Sequence, residues 1–364
     1  MASNSFGNMF RFTTFGESHG PLIGVVVDGM PSGIEISEEE MGRALLKRRP
    51  GGSYTSQRKE EDIPEIVSGV FEGKTTGAPI AVLIRNNDVK KEDYAPFLTL
   101  YRPGHANFTY RAKYGHFDPY GGGRASARET ACRTVAGVLA KKLLGDVEIV
   151  AYLKQVGPVL GSPTEFVAEK VDRSPIFALY REAEMIEIIE KVRGEGDSIG
   201  GIVECIVLNV PKGLGDPVYE KLEANLGRAM LSIPAVKGVE FGEGFAAALM
   251  RGSEHNDSMK EGGRFVTNRH GGILGGISTG EPIVFRVVFK PASSIAKPIA
   301  SVHFDGTLGI AEHPRKSRHD PCVAIRGVKV VEAMAAVVLA DAIFYNALNI
   351  GRSEHLREIS SGAS

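Results

Sequence analysis

Two histidines stand in turns bordered by glycine, where a side chain can reach a bound molecule. His19 lies in the run GESHG and His105 in the run YRPGHA. Because histidine gives or takes a proton near neutral pH, either residue is a candidate general acid or base. His319 beside Asp320 forms a third candidate group. An isolated loop histidine is more often a surface residue or a hydrogen-bonded strut, so the residues alone leave both interpretations open.

The spacing of these histidines favours proton transfer over metal or serine chemistry. They lie far apart along the chain, and none belongs to an HExxH-type motif, so a metal site is not predicted. Ser18 stands in GESHG rather than in the GxSxG elbow of hydrolases, which argues against a serine nucleophile.

Arginines beside glycine or proline form the second group of candidates. A guanidinium presents fixed donors that match carboxylate and phosphate, so a group of arginines indicates a ligand with more than one anionic group. The run KPASS at 290–294 adds one cation and two hydroxyls. Solvated surface charge is the alternative for some of these residues. The arginines are Arg48, Arg49, Arg58, Arg102, Arg124, Arg128 and Arg318.

One helix start is the clearest element that would position such side chains. Three glycines lead to Arg124, and Ser126 with Glu129 has the spacing of a capping box. Apolar residues then recur at helical spacing up to Gly145, so one face of this helix should be buried. Backbone N–H groups at the helix start predict an anion site. A capped core helix with a solvated loop is the alternative, and the loop lacks the third glycine of a dinucleotide fingerprint.

The remaining pattern alternates strands and helices, as in a mixed fold. The final long helix is apolar nearly all round and is expected to lie deep. A second capping box, Ser37 with Glu40, begins an early helix. Strands are predicted at 10–15, 22–27, 63–71, 80–84, 147–156, 202–210 and 283–289, and later helices at about 174–192, 216–231 and 328–348.

Short motifs recur in the same order in the two halves of the chain. VDGMPSG resembles LNVPKG, TGAPI resembles TGEPI, and an arginine-led loop precedes each long helix. We therefore predict a single domain over 1–364 with an internal pseudo-two-fold repeat, its halves at about 7–145 and 200–350. Chance matching of short glycine and proline motifs is the alternative.

Composition excludes several classes of protein. The formal net charge of the 364 residues is −1, which argues against a general nucleic-acid binder. The three cysteines are isolated, which argues against a disulfide framework and fits a reducing compartment. Neither a signal-peptide pattern nor an apolar run of membrane-spanning length is present. Composition thus predicts a cytoplasmic protein that binds neither nucleic acid nor membrane.

Several longer motifs, taken in order, resemble the signatures of the chorismate synthase family. They are GESHG followed by LIGVVVDGMP, GRASARET at 123–130, and RHDPC at 318–322. RPGHANFTY at 102–110 and the KPASS run fit the same family. The resemblance extends from about residue 7 to about residue 348.

The resemblance implies an α+β fold, namely a β-α-β sandwich with long central helices between antiparallel sheets. It implies a carbon-oxygen lyase acting on a phosphate ester in the shikimate pathway of aromatic amino acid biosynthesis. The substrate would be 5-enolpyruvylshikimate 3-phosphate, converted by an anti-1,4-elimination to chorismate and phosphate. The family requires reduced FMN without net redox change and forms homotetramers, and NADPH would serve as an external reductant.

The same resemblance assigns roles to residues. His19 would protonate the leaving phosphate, His105 would donate a proton at the reduced flavin, and Asp320 would assist removal of the C6 proton through flavin N5. FMN would be lined by Arg124, Ala125, Ser126, Ala235, Gly275, Lys290, Pro291, Ala292, Ser293, Ser294 and Arg318. The substrate anions would be held by Arg48, Arg58, Arg102 and Arg128, with Arg48 also at the position of NADP contact in relatives. No metal is implied.

Three positions depart from the family pattern. An arginine that many relatives carry between Ser53 and Tyr54 is missing, and Pro234 offers only its backbone where relatives have SINA. Asn107 replaces an aspartate, and we expect the lost charge to lower the pKa of His105 relative to that of relatives, with activity kept.

Two other functions stay open on the sequence. An NADPH-dependent flavin oxidoreductase acting on a phosphorylated small acid would suit the same arginines and flavin loop. A non-enzymatic phosphate-ligand or RNA-binding module is disfavoured by the near-neutral charge and the lack of RNP-like motifs. Loops 45–60 and 86–118 are expected to order only with FMN, because of their glycine content, charge and length.

Overall fold

The computed structural model has an α+β architecture built on two five-stranded antiparallel sheets. It describes residues 3–56, 60–87, 92–161, 166–313 and 320–361. The predicted strands and their spacing are confirmed, with shifts of a few residues at the ends. Among the helices of the described residues, none is both long and apolar enough to cross a membrane.

The strands, numbered in chain order, include short hairpins as well as the members of the two large sheets. They are β1 Ser5–Phe6, β2 Arg11–Phe15, β3 Leu22–Asp28, β4 Pro64–Ser68, β5 Val70–Phe71, β6 Lys74–Thr75, β7 Ile80–Arg85, β8 Glu148–Val156, β9 Val159–Leu160, β10 Gly201–Leu208, β11 Val236–Phe241, β12 Met259–Lys260, β13 Arg264–Phe265, β14 Ile273–Leu274, β15 Ile277–Ser278, β16 Ile283–Phe289, β17 Ile299–Val302 and β18 Leu308–Ala311.

The helices comprise α-helices and short 3₁₀ turns. The α-helices are α1 Glu38–Arg48, α2 Asn107–Tyr114, α3 Thr130–Lys141, α4 Ala168–Val171, α5 Glu182–Gly194, α6 Leu222–Leu231, α7 Gly252–His255 and α8 Ala324–Ser361. The 3₁₀ turns are Glu92–Phe97, Gly123–Ala125, Ala127–Glu129 and Gly244–Leu249.

Alternating side chains turn one face of each sheet toward the core. The first sheet has the order β1-β2-β3-β7-β4, and the second has the order β11-β16-β10-β8-β9. In β16, Ile283, Phe285 and Val287 are fully buried, whereas the residues between them are more exposed. This period of two is the pattern expected of a strand with one face against a core.

The helices α1, α3, α6 and α8 fill the space between the two sheets. α3 packs on β3 and on α8, and α8 packs on β8 and β10. A β-carbon added at Gly137 of α3 would lie 2.4 Å from the Cβ of Ala333 in α8, so the two helices approach closely where a hydrogen replaces a side chain. The predicted layer order of sheet, helices and sheet is confirmed.

The order of elements repeats along the chain. Read from one edge, the first sheet runs β4-β7-β3-β2 and the second runs β11-β16-β10-β8. Along the chain, α1 comes directly after β3, and α6 comes directly after β10, the strand at the same position in the other sheet. Likewise, α3 comes later in the chain than β7, and α8 comes later than β16. A two-fold rotation that would relate the two halves stays a prediction.

Both predicted capping boxes are half formed. Ser37 Oγ accepts from the backbone N–H of Glu40 at 3.2 Å, and Ser126 Oγ accepts from that of Arg128 at 3.2 Å. The carboxylate of Glu129 instead accepts from Thr14 Oγ1 and from Arg133 Nε, each at 2.8 Å. The predicted return bond from Glu129 to the backbone of Ser126 was therefore wrong, because the Glu129 carboxylate bonds to Thr14 and Arg133 instead.

Two helices begin later than predicted, for a local reason in each case. The helix expected from 174 begins at Glu182, because Ser174 Oγ accepts from the backbone N–H groups of two following residues and holds a turn. The helix expected from 216 begins at Leu222, after Val218 at a left-handed φ of 73°. Conversely, α8 extends beyond 328–348 at both ends.

The long polar stretch 86–118 contains the 3₁₀ turn Glu92–Phe97 and helix α2. In the stretch 45–60, the other loop expected to respond to FMN, Arg48 is fully buried and Ser56 donates its backbone N–H to Asp320. Residues 57–59 and 88–91, which belong to these two stretches, lie outside the described residues. Their expected response to FMN stays a prediction.

Candidate active site

One cavity of about 420 Å³ collects residues from both ends of the chain. His19 and His105 both line it, so the two imidazoles share one hollow. Its volume lies in the range of roughly 300–1,000 Å³ that is usual for small-molecule sites. The walls are formed by residues near 19, 48–60, 94–106, 121–128, 234–235, 290–294 and 313–326.

His19 is held by its neighbours on several sides. The turn between β2 and β3 carries it, and its ring is only 6% exposed. Nδ1 lies 3.0 Å from Ser18 Oγ, and the ring meets Tyr94 edge-on with centroids 4.8 Å apart. A β-carbon at Gly121 would lie 2.3 Å from Nδ1, so the glycine is required for the imidazole to fit there.

His105 is kept neutral and in one tautomer. The backbone N–H of Asn107 donates to its Nδ1 at 3.1 Å, so the ring hydrogen of the neutral form is on Nε2. Burial, reinforced by the positive charges of Arg102, His313 and Lys290, lowers the pKa of His105 to about 3. At neutral pH the imidazole is therefore a hydrogen-bond donor through Nε2.

The side chain of Asn107 clamps the turn that carries His105. Oδ1 accepts from the backbone N–H of Arg102 at 3.1 Å, and Nδ2 donates to the carbonyl of Leu100 at 3.2 Å. An aspartate at this position would supply only the first of these two bonds. The Asn107 amide therefore forms a hydrogen bond that an aspartate could not form, in addition to removing the negative charge noted from the sequence.

Two of the predicted anion-binding arginines are neutralised by buried carboxylates. Arg48 ends α1, is fully buried, and lies 2.6 Å from Asp62. Arg128 also bonds to Asp62 and approaches Glu60 at 3.7 Å. Asp62 itself is buried at a left-handed φ of 52°. These four groups cancel in formal charge, so they form the floor of the cavity rather than its excess of positive charge.

The pKa values of this cluster follow from opposing effects. Burial by itself disfavours ionisation of Asp62, but the Arg48 and Arg128 guanidiniums outweigh it, and the pKa of Asp62 is lowered. Burial lowers the pKa of Arg48 to about 10, against the attraction of Asp62, so the guanidinium stays charged at neutral pH.

Arg102 and Lys290 supply the uncompensated positive charge. Arg102 bonds to the carbonyl of Gly121, its buried Nε has no partner among the described residues, and burial lowers its pKa to about 10. Lys290 Nζ donates to the carbonyl of Gly104 at 2.8 Å. In the described part of the chain, neither residue forms an ion pair with a carboxylate. An anionic ligand would satisfy both.

Asp320, four residues before the last helix, is held by two hydrogen-bonding partners. Its Oδ2 lies 2.8 Å from the Arg326 guanidinium, and its Oδ1 accepts from the backbone N–H of Ser56 at 2.9 Å. Arg326 also donates from Nε to the carbonyl of Arg48 at 3.3 Å. Asp320 thus ties the last helix to the loop that follows α1.

Most of the predicted site residues are brought together by the fold. Those that line the cavity are His19, Arg48, Arg102, His105, Ala125, Ser126, Arg128, Ala235, Lys290, Pro291, Ala292, Ser293, Ser294 and Asp320. Ala235, at a left-handed φ of 71°, accepts from the backbone N–H of Lys290 at 2.9 Å, which joins two wall segments.

Four predicted residues are not found in the wall. Arg124 faces a neighbouring cavity and donates to Thr14 Oγ1 at 2.7 Å, and Gly275 lies exposed in the turn between β14 and β15. Arg58 and Arg318 lie outside the described residues. So does His319.

Sequence reasoning missed five residues that line or support the cavity. They are Glu60, Asp62, Tyr94, His313 and Arg326. Asp62 and Glu60 sit in an acidic run beside a basic one, a pattern that also describes an ordinary exposed loop. For Tyr94 and His313 the sequence carries no signal, because their partners lie at distant positions along the chain.

The sandwich and its cavity define an α+β protein whose small-molecule-sized cavity is lined by two imidazoles and by arginine and lysine side chains. A family model described as chorismate synthase matches residues 10–344. The chain belongs to the chorismate synthase family. Its function is that of the family, a lyase reaction that forms chorismate in the shikimate pathway, and the family uses a flavin.

Individual relatives are similar in sequence over nearly the whole chain. A chorismate synthase from Protochlamydia amoebophila is 54% identical over 357 residues, covering 94% of this chain and 97% of that relative. A chorismate synthase from Christiangramia forsetii is 49% identical over 351 residues, covering 95% and 99%. A solved structure described as "Crystal Structure of Chorismate Synthase" is similar with a TM-score of 0.72 and 31% identity, covering 94% of this chain and 93% of that one.

Proposed function

We propose that the cavity binds 5-enolpyruvylshikimate 3-phosphate together with reduced FMN and eliminates phosphate to give chorismate. The observation that carries this proposal is the meeting in one cavity of the His19 and His105 imidazoles with two cations. Those cations are Arg102 and Lys290, and neither forms an ion pair with a carboxylate of the described residues. A substrate with a phosphate and two carboxylates requires such cations. Family membership supplies the reaction.

The residues present fit a phosphate-bearing flavin beside an acidic substrate. Arg48 Nε and Arg102 Nε are buried donors that have no partner in the part of the chain that the structure describes. Ser126, Ser293 and Ser294 line the same cavity. When bound, reduced flavin supplies electron density to the eliminating system and recovers it afterwards. NADPH would act only as an external reductant.

The histidines and Asp320 would divide the proton transfers. His19, fixed between Ser18 and Tyr94, would protonate the leaving phosphate. His105, neutral with its hydrogen on Nε2, would donate a hydrogen bond or proton on the flavin side. Asp320, paired with Arg326, would assist removal of the C6 proton through flavin N5.

The cations would divide the binding. Arg102 and Lys290 would pair with ligand anions, because no carboxylate of the described residues already pairs with them. Arg48 and Arg128 would contribute hydrogen bonds more than net charge, since Asp62 and Glu60 balance them. The proposed contacts of Arg58, Arg124, Gly275 and Arg318 rest on the family resemblance alone.

Three further features are proposed with the function. The protein would be a cytoplasmic homotetramer, which rests on the family resemblance. A pseudo-two-fold axis would relate halves at about 7–145 and 200–350 of a single domain. The repeated order of strands in the two sheets supports that axis.

An anaerobic assay with reduced FMN and excess substrate tests the function. We expect many phosphates released per flavin with no NADPH consumed, and a loss of about 10²–10⁴-fold for His19→Ala, the range for a general acid. His255→Ala is a matched control, because His255 lies outside the cavity wall. Stoichiometric NADPH oxidation would instead indicate the flavin oxidoreductase.

A further inference from the structure

A tyrosine to which the sequence assigned no role contacts two groups of the proposed mechanism. Tyr94 lies in the 3₁₀ turn Glu92–Phe97 and lines the cavity. Its ring meets the His19 imidazole edge-on, with centroids 4.8 Å apart and an interplanar angle of 80°. The Arg102 guanidinium lies 5.6 Å from the centroid of the same ring.

The ring therefore constrains both neighbours. An edge-to-face contact of this geometry favours one orientation of the imidazole, and a cation held near an aromatic face is attracted to it. The Phe97 ring, one helical turn on, also lies 5.6 Å from the Arg102 guanidinium. The 3₁₀ turn thus forms an aromatic support for the His19 imidazole and the Arg102 guanidinium.

The hydroxyl of Tyr94 is not used by this support. Within the ranges that the structure describes, no residue forms a hydrogen bond with it. A phenol is both a donor and an acceptor, and a donor beside Arg102 and His19 would complete a three-sided site for an oxyanion.

We propose that Tyr94 is a further active-site residue that donates its hydroxyl hydrogen to the leaving phosphate of the substrate. Its ring additionally positions His19 and Arg102. The proposal rests on the proposed function for the identity of the anion. It names a phosphate contact and not a flavin contact, because the ring of Tyr94 contacts His19, the residue assigned to the leaving phosphate.

Two variants separate the hydroxyl from the ring. Tyr94→Phe removes only the hydroxyl, and Tyr94→Leu also removes the edge-on contact with His19. Tyr101→Phe is the matched control, since Tyr101 packs on Phe304 and does not line the cavity. All are made in the full chain and compared by thermal unfolding.

The first readout is steady-state phosphate release by the flavin-loaded protein. For Tyr94→Phe we expect kcat/KM to fall about tenfold to a hundredfold, the range for a lost hydrogen bond to a charged group, with flavin affinity within about twofold of wild type. Tyr94→Leu should lose more and should shift the acidic limb of the pH–rate profile, because the ring no longer orients His19. Tyr101→Phe should match wild type in both respects.

The second readout does not depend on activity. Calorimetric titration with inorganic phosphate, without flavin, should show about tenfold weaker binding for Tyr94→Phe and no change for Tyr101→Phe. Equal phosphate affinity in Tyr94→Phe and wild type would overturn the proposal, as would a loss confined to flavin affinity. An inactive wild type that still shows the phosphate difference would refute the proposed function and leave this contact standing.

Discussion

Asp62→Asn is the substitution whose cost the structure allows us to work out most directly. The carboxylate is fully buried and bonds to two arginines, with Arg48 at 2.6 Å. The amide keeps the size of the side chain but removes its charge, which leaves a buried guanidinium undercompensated. Breaking a buried ion pair by removing one partner costs about 3–5 kcal/mol, and we expect that loss in the free energy of unfolding.

An exposed ion pair supplies the matched control. Glu39 lies 2.6 Å from Arg43, with side chains 81% and 62% exposed. Because such pairs contribute about 0–1 kcal/mol, Glu39→Gln should be nearly neutral. The nitrogen–oxygen distance equals that of the Arg48–Asp62 pair, so the two variants compare an exposed pair with a buried one at the same separation.

The pH dependence gives the same prediction a second signature. The folded-state pKa of Asp62 lies below its ordinary value of 3.8, so its stabilisation is complete above that value and is lost as the pH falls through the folded-state pKa. The deficit of Asp62→Asn should therefore be full at pH 7 and should shrink below about pH 4. Wild type should lose more stability than the variant over that acid range.

Urea unfolding at fixed protein concentration measures this difference. The chain has no tryptophan, so far-ultraviolet circular dichroism is the suitable signal. The double variant Arg48→Met with Asp62→Asn should recover part of the loss, because no buried charge is then left without its partner at that end. A deficit for Asp62→Asn no larger than that of Glu39→Gln would refute the reasoning.

Two other predictions concern close packing and the His105 turn. Gly137→Ala should lower the free energy of unfolding by about 1–3 kcal/mol or more, because the added carbon would overlap α8. Gly227→Ala is the control on α6, where the added carbon meets open space, and it should be neutral or stabilising by up to about 1 kcal/mol. Thermal unfolding of the two variants measures the difference. Asn107→Asp should raise the pKa of His105, because it adds a negative charge beside the ring, while costing the hydrogen bond to the carbonyl of Leu100. Proton NMR titration of His105 checks the direction, and an unchanged or lower pKa would contradict it.

Local patterns in the sequence predicted the strands well because sheet burial repeats every second residue. β7 and β16 each alternate buried and more exposed positions and match their predicted ranges closely. The helix starts were predicted less well. A serine followed by a glutamate three residues later fixes half of a capping box, but Glu129 found a better partner in Arg133.

The candidate site was predicted by residue type and only partly by charge. Arginines beside glycine do line the cavity, yet Arg48 and Arg128 are balanced by Asp62, 14 and 66 positions away. No local pattern could show which cations are already paired. Only the tertiary contacts show that Arg48 and Arg128 pair with a carboxylate, whereas Arg102 pairs with none among the described residues.

The cavity walls come from segments as distant as 19 and 326 along the chain. No half of the polypeptide holds the complete set, so a ligand that binds there recognises the fully assembled molecule and not a fragment of it. By mass action, a ligand at a hundred times its dissociation constant would add about 2.7 kcal/mol to the stability of the whole fold. The concentration of the ligands would then set how fast proteases degrade the protein, independently of its catalytic rate.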